Sequence, residues 1–371
     1  MIMEHFIDVF EDCTSKATKI PKEEYLQTGK YIVIDQGQNE IAGYTDTEDG
    51  IFNDVPAIIF GDHTRVIKYV DTPFFLGADG VKLLKAKINN PNYKYLYYAL
   101  KNAKIPNTGY NRHFKWLKEI QIHLPDTNKQ KDIVNILDKI NLIIRKRKEE
   151  LEYLDKLIKA RFVELFGDPK ANDKGFTKAP MGEYMTVLTD FSSNGSYKTL
   201  DSGVTMYDEP NYAWMVRTTD LESGDMSSIT YIDENAYELL SKSKIYGGEI
   251  IMNKIGSAGK VYLMPEIEMP ASLGRNAFMF RYDDRINVRF LFEQLVSEYG
   301  QAEIQQYVRG AVTKTITKDD ARSVQIIVPE KELQDKYVEF VHQIDKSKVA
   351  IQKSLAETQL LFDKLMQDYF G

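Results

Sequence analysis

Cysteine is almost absent: Cys13 is the single one in 371 residues, so no internal disulfide framework forms and no cysteine cluster binds zinc. Histidine is scarce too, with five in the chain and none in an H-E-x-x-H arrangement. No stretch approaches the roughly 18 consecutive apolar residues of a membrane-spanning helix. The opening MIMEHFIDVFEDC carries acids early and has no basic segment leading into an apolar one, so it does not read as a signal peptide. These absences lead us to expect a reduced, cytoplasmic protein with no membrane partner. Catalytic signatures are missing as well. NNPNY (89–93) has Asn92 where the Asn-Pro-Pro-aromatic signature of amino-methyltransferases needs its second proline. KIGSAGKVY (254–262) has Lys254 where a phosphate-binding P-loop needs glycine, and Val261 where it needs Ser or Thr. No carboxylate-and-lysine cluster has nuclease spacing, which weighs against a solitary DNA-acting enzyme.

What is present is ordinary for a folded chain, 43% apolar and 28% charged, with a length that suits two or three domains. The decisive feature is a repeat. RFVELFG ends at Gly167 and KLMQDYFG at Gly371, and the two align without gaps at an offset of 204 residues (371 minus 167). In that register Phe166 meets Phe370, Gln130 meets Gln334 and Pro125 meets Pro329. Upstream, NYKYLYYAL (92–100) matches NVRFLFEQL (287–295), and FLGADGVKLL (75–84) matches SLGRNAFMFR (272–281). AIIFGDHTRVIKY (57–69) matches EIIMNKIGSAGKVYL (249–263).

Each copy reads as a mixed domain followed by a long helix. Strands are expected in YIVID, AIIFG and EIQIHL, which are rich in β-branched and aromatic residues. After Pro125 no glycine or proline occurs until Gly167, and Asp126 or Thr127 is placed to cap a helix. Its apolar stripe is read as Ile133, Ile136, Ile140 and Ile143, resuming at Leu151, Leu154, Ile158 and Leu165. The second helix carries Val341, Ile344, Ile351, Leu355, Phe362 and Leu365. One-striped helices of such length need a partner, and the repeat favours antiparallel pairing with each other. The fold class is therefore α+β: two mixed α/β domains and a pair of long antiparallel helices, a coiled coil, in an internal pseudo-twofold repeat. The expected boundaries are 1–125 and 180–329 for the domains, 126–167 and 330–371 for the helices, and 168–179 for the linker.

Net charge is −7, mildly against a nucleic-acid partner, but the distribution is uneven. ALKNAKIPNTGYNRHFKWLK (99–118) holds five Lys/Arg and no acid. It offers Tyr110, Asn111, Arg112, His113 and Lys115 to a phosphate backbone. RGAVTKTITK (309–318) is likewise free of acids and offers Lys314, Thr315 and Lys318, with Lys314 overlaid on Arg112. Loop candidates for base reading are His63, Thr64, Arg65 and Lys68 in the first copy. In the second they are Asn253, Lys254, Ser257 and Lys260, with Arg217, Thr218 and Thr219 added from RTTD. Arginine and lysine suit guanine edges and asparagine suits adenine. The alternatives are a solitary nuclease and a coiled-coil assembly protein that never touches DNA.

With these residues the chain resembles the specificity (S) subunits of type I DNA restriction–modification systems. The resemblance rests on two domains alternating with two long helices, on LP…KQ (124–130) and VP…LQ (328–334) entering them, and on RFVELFGD and LMQDYFG ending them. GAVTKTITKDDARSV, IIMNKIGSAGKVYL and IIFGDHTRVIKYV are similar to stretches of that family's target-recognition domains. LPDTNKQ and VPEKELQ depart from the usual P-L-P-x-x-x-E-Q form in lacking a glutamate before the glutamine. The resemblance implies a non-catalytic subunit that reads an asymmetric, bipartite site in double-stranded DNA, with the helices setting the spacer. It implies two methyltransferase (modification) subunits and a restriction/translocase subunit as partners. S-adenosylmethionine, ATP and Mg2+ would serve those partners, with no cofactor in this chain.

Overall fold

The computed structural model describes residues 2–77, 80–224 and 228–371, so Ala78 and Asp79 of the FLGADGVKLL block lie outside the described residues. The chain forms two compact units, Met1–Leu151 with Ala350–Gly371, and Glu152–Val349. Each long helix thus contributes one part to each unit.

Both units are built by the same rules. In the first, Ile2–His5 pairs antiparallel with Gln121–Leu124, bringing the start of the domain beside its end. In the second, Thr177–Pro180 pairs with Gln325–Val328 in the same way. A four-stranded sheet follows, in the order Phe10–Asp12, Val81–Ala86, Ala57–Gly61, Ile67–Val70. Its counterpart runs Met185–Asp190, Ala277–Tyr282, Ile250–Asn253, Val261–Leu263. Ala57–Gly61 is buried throughout and so reads as a continuous apolar run. A second sheet contains one parallel pair in each unit, Tyr31–Ile34 with Phe74–Leu76 and Ala213–Val216 with Ala271–Leu273. The Leu-Gly pair that ends this strand in both copies has a physical reason. Gly77 donates its N–H to Ile34 at 2.7 Å and Gly274 donates to Val216 at 2.8 Å. A Cβ at Gly77 would lie 2.5 Å from Asp35 Cβ, and one at Gly274 2.7 Å from the Val216 carbonyl oxygen, so the close approach excludes a side chain.

The repeated asparagines and glutamines are caps. Asn92 accepts from the Tyr95 N–H to start the helix Tyr93–Lys101, and Asn287 accepts from Arg289 and Phe290 to start Val288–Val296. Gln130 donates to the Pro125 carbonyl at 2.8 Å and Gln334 to the Pro329 carbonyl at 2.8 Å, which fixes the chain as it enters each long helix.

The long helices are Thr127–Phe166 and Lys331–Phe370. Asp126, rather than Thr127, caps the first, accepting from the N–H groups of Asn128 and Lys129. Gly167 ends it with φ of +70°, its N–H bonded to the Val163 carbonyl. In the first unit, Ile133, Val134, Leu137, Ile140 and Ile144 of the first helix share a core with Phe362 and Met366 of the second. In the second unit, Ile158, Phe162 and Phe166 meet Tyr337, Val338 and Val341, and Lys348 reaches Asp155 at 2.6 Å. Within each unit the late part of one helix therefore meets the early part of the other, which is antiparallel packing. One expectation is corrected: Ile136 and Ile143 are 40% and 42% exposed, while Val134, Leu137 and Ile144 are buried. Ile133 and Ile140 belong to both readings, so the true stripe is rotated by about one position.

The doubled ending now has a function. Phe166 packs tilted against Phe290 with centroids 4.8 Å apart, and Phe370 against Tyr95 at 5.2 Å. Tyr95 and Phe290 occupy the same place, three residues past the capping asparagine. Each long helix ends by docking its terminal phenylalanine on the equivalent domain helix.

Candidate nucleic-acid interface

Two loops meet at the end of the central strand in each unit. In the first unit Ala57–Gly61 runs into a turn at Asp62–Val66, with Arg65 at φ of +62°. The basic loop 105–113 is tied to this turn at its root. His113 donates its backbone N–H to the Asp62 carbonyl at 2.8 Å, and the Asp62 carboxylate accepts from the Phe114 N–H at 2.7 Å. At the surface Tyr110 stacks on His63, centroids 4.6 Å apart and planes 9° apart. Tyr110 is 86% exposed, so this stack is a presented aromatic face rather than core. Asn111, Arg112 and Lys115 are exposed beside it in the chain. Thr64 is turned inward at its hydroxyl, which donates to the Gln36 carbonyl at 2.6 Å, and Arg65 donates to the Ile105 carbonyl at 3.3 Å.

In the second unit Lys254–Lys260 is tied to Arg309–Thr317 at the same place, because Ile316 donates its N–H to the Lys254 carbonyl at 3.1 Å. This bond makes Ile316 the counterpart of His113 and Thr315 the counterpart of Arg112. The overlay of Lys314 on Arg112 is thus one residue out of register. Two backbone bonds between Arg309 and Thr315 close the second loop into a hairpin, and Gly256 donates to the Lys314 carbonyl at 2.9 Å. Ser257, Lys314 and Thr315 are exposed. Gly256, Ser257, Lys260, Gln301, Gln305 and Lys314 are among the residues that line an open hollow of about 450 Å³.

Several candidate cations are paired with groups of the protein itself. Lys68 is buried, bonded to the Asn39 carbonyl at 2.5 Å and 3.6 Å from Asp35, and burial pushes its pKa down. His113 and Asn253 are buried as well, at 0% and 7% exposure, so these three shape the loops from below. Arg217 is held by Asp220 at 2.6 Å and by the Ser228 carbonyl, at the start of the helix Thr218–Ser223 that contains Thr218 and Thr219. Lys260 is paired with Glu222.

Lys254 and Lys318 converge on one carboxylate, which the sequence reading missed. Asp190 receives Lys254 at 2.6 Å, Lys318 at 2.9 Å and the Ser193 hydroxyl at 2.6 Å, with its side chain 8% exposed. Burial alone would raise the Asp190 pKa, but the bonds from Lys254, Ser193 and Lys318 outweigh it and hold the carboxyl at about 2. Asp190 and Ser193 form a local capping box, whereas both lysines lie more than sixty residues away in sequence. A carboxyl depressed in the folded state stabilises the fold above its ordinary pKa, and that contribution disappears as pH falls from about 4 towards 2. Asp190→Asn is therefore expected to remove about 2 kcal/mol at neutral pH and to flatten the acid limb of an unfolding profile. A wild-type acid limb in the variant would contradict the assignment.

Comparison with known proteins decides the family. The model of the type I restriction modification DNA specificity domain matches residues 7–153 and 185–359, one match to each half of the repeat. The chain belongs to this family. It is similar to the specificity subunit of the type I restriction enzyme EcoR124I/EcoR124II of Escherichia coli, 24% identical over 374 residues covering 94% of this chain and 88% of that one. It is also 25% identical over 301 residues to the MjaVIII specificity subunit of Methanocaldococcus jannaschii, covering 73% of this chain and 69% of that one. Among solved structures, the type I restriction–modification S subunit from M. genitalium superposes with a TM-score of 0.59 at 18% identity, covering 100% of this chain and 96% of that one. A chain from a structure of type I system assembly and conformational transition gives 0.55 at 16%, covering 99% and 95%. At these identities the structural likeness is one of fold. As a type I specificity subunit the protein is non-catalytic, and it acts with DNA and other restriction–modification subunits; the solitary-nuclease and DNA-free readings are not favoured. Among the described residues, no helix is long and apolar enough to cross a membrane.

Proposed function

We propose that this specificity subunit reads an asymmetric, bipartite site in double-stranded DNA, one half with residues 1–125 and the other with residues 180–329. The observation that carries the reading is that one scaffold occurs twice with different side chains on its paired loops. The first unit presents the His63–Tyr110 stack with Arg112 and Lys115, and the second presents Ser257, Lys314 and Thr315 on a glycine-rich loop and a hairpin. Two identical readers would favour a palindrome, whereas two unlike readers suit unlike half-sites. Arg112 and Lys314 have no acid partner among the described residues and suit phosphate. The long helices set the unread spacer and dock two methyltransferase subunits, with a restriction/translocase subunit joining them. S-adenosylmethionine, ATP and Mg2+ belong to those subunits, and the assembly works in the cytoplasm.

The test is methyl transfer to DNA by the purified chain with Mg2+ and S-adenosylmethionine, with and without a methyltransferase subunit. Activity is expected only with the partner, and activity of the chain alone would overturn the reading. In the assembled complex, Arg112→Ala with Lys314→Ala is expected to reduce the slope of log K against log salt by about 1.8, since each phosphate contact contributes about 0.9. An unchanged slope would remove both residues from the DNA face.

A further inference from the structure

The charge under the second unit's loops is arranged unlike that under the first. Both units place a carboxylate beneath the two loops, but Asp62 accepts a backbone N–H, whereas Asp190 takes two lysines, one on each carboxylate oxygen. Asp190 ends the strand Met185–Asp190, Lys254 follows Ile250–Asn253, and Lys318 opens the helix Lys318–Ser323. One side chain therefore joins the root of the loop at Lys254–Lys260 to the root of the hairpin at Arg309–Thr317.

We propose that Asp190 is a positioning residue for recognition of the second half-site, withholding Lys254 and Lys318 from DNA phosphate while fixing the two loops that read bases. This rests on the DNA-reading function proposed above. A phosphate drawing either lysine away leaves a buried carboxylate short of a partner, and an uncompensated buried charge is costly. Lys254 and Lys318 are 16% and 33% exposed, so neither side chain is sealed in the core, and each is open to a phosphate once released. Phosphate contacts carry no sequence information and strengthen binding to every duplex alike. By occupying two cations, Asp190 lowers affinity for wrong sequences, and the rigid loop roots preserve the contacts that distinguish right ones.

The charge change separates this role from simple stability. Asp190→Asn keeps the shape, leaves two ammonium groups facing each other without a counter-charge, and frees them for the backbone. The experiment uses wild type, Asp190→Asn and Lys318→Met, each assembled with the methyltransferase subunit. Binding is measured against salt on four duplexes: the site mapped from methylation, that site altered in the half read by the second unit, that site altered in the other half, and an unrelated sequence. For Asp190→Asn we expect affinity for the unrelated duplex to rise roughly tenfold or more at low salt, with a slope steeper by up to about 1.8. Discrimination in the half read by the second unit falls roughly tenfold, while discrimination in the other half is unchanged. Lys318→Met leaves Asp190 paired with Lys254, retains the fold, and is expected to keep the wild-type slope. A wild-type slope and wild-type discrimination in Asp190→Asn would overturn the inference. So would a slope reduced by about 0.9 in Lys318→Met, because Lys318 would then already contact phosphate. A wild-type complex that fails to distinguish the mapped site from the unrelated duplex would overturn the DNA-reading function itself.

Discussion

Deleting about one turn from each long helix is expected to shorten the unread spacer by roughly one to two base pairs and leave both half-sites unaltered. One turn is roughly four residues, or about 6 Å at 1.5 Å per residue, against about 3.4 Å per base-pair step. The segments to remove are 146–149 and 350–353. Neither lies in either apolar cluster, and 146–149 falls in the charged stretch between the buried Ile144 and Ile158. Four residues exceed one turn of 3.6 by about 40°, so the apolar stripe stays close to phase on both sides of the cut. Methylation mapping with the shortened subunit reads the result directly. A spacer of unchanged length would refute the helices as the determinant of half-site separation.

Phe166→Ala is expected to cost the second unit about 3–5 kcal/mol. Phe166 is fully buried and lies 4.9 Å from Phe162, 4.8 Å from Phe290 and 5.4 Å from Tyr337 by ring centroid. Removing it deletes a ring from a cluster in which every neighbour is itself held by the others, so little collapse can fill the cavity. Its counterpart Phe370 is only half-buried, and Phe370→Ala should cost less. Two units make a single overall unfolding midpoint ambiguous, so a local reporter is needed. The chain's two tryptophans fall one to each unit, and Trp214 is buried in the second. In a Trp116→Phe background, Trp214 fluorescence under denaturant should show the loss, and a change below about 1 kcal/mol would contradict this packing.

The fold was legible where one local rule decides it. The absence of glycine and proline between Pro125 and Gly167 marked the first helix, and the observed Thr127–Phe166 follows. Asn92 and Asn287, Gln130 and Gln334, and the Leu-Gly pairs aligned by sequence because each makes the same bond in both copies. The stripe was misread where isoleucine alternated with other apolar residues. Ile136 and Ile143 keep the expected spacing, but Leu137 and Ile144 also fit it one position on, and only the partner helix chooses between them. The candidate interface was least legible because charge does not reveal its partner. Lys254 resembled a DNA contact in its loop, yet its counter-ion is 64 residues distant at Asp190. The His63–Tyr110 stack likewise joins two loops 47 residues apart (110 minus 63), with no local pattern linking them. Gly-rich and basic segments were recognised as loops, but which cations remain unpaired is a tertiary property.

The most direct measurement is a map of methylated bases in DNA modified by the complex of this subunit with its methyltransferase. Two unlike specified half-sites, separated by an unspecified spacer of constant length, are the predicted result. A palindromic or contiguous site, or a spacer that varies from one modified locus to the next, would contradict recognition by two different readers held at a fixed distance.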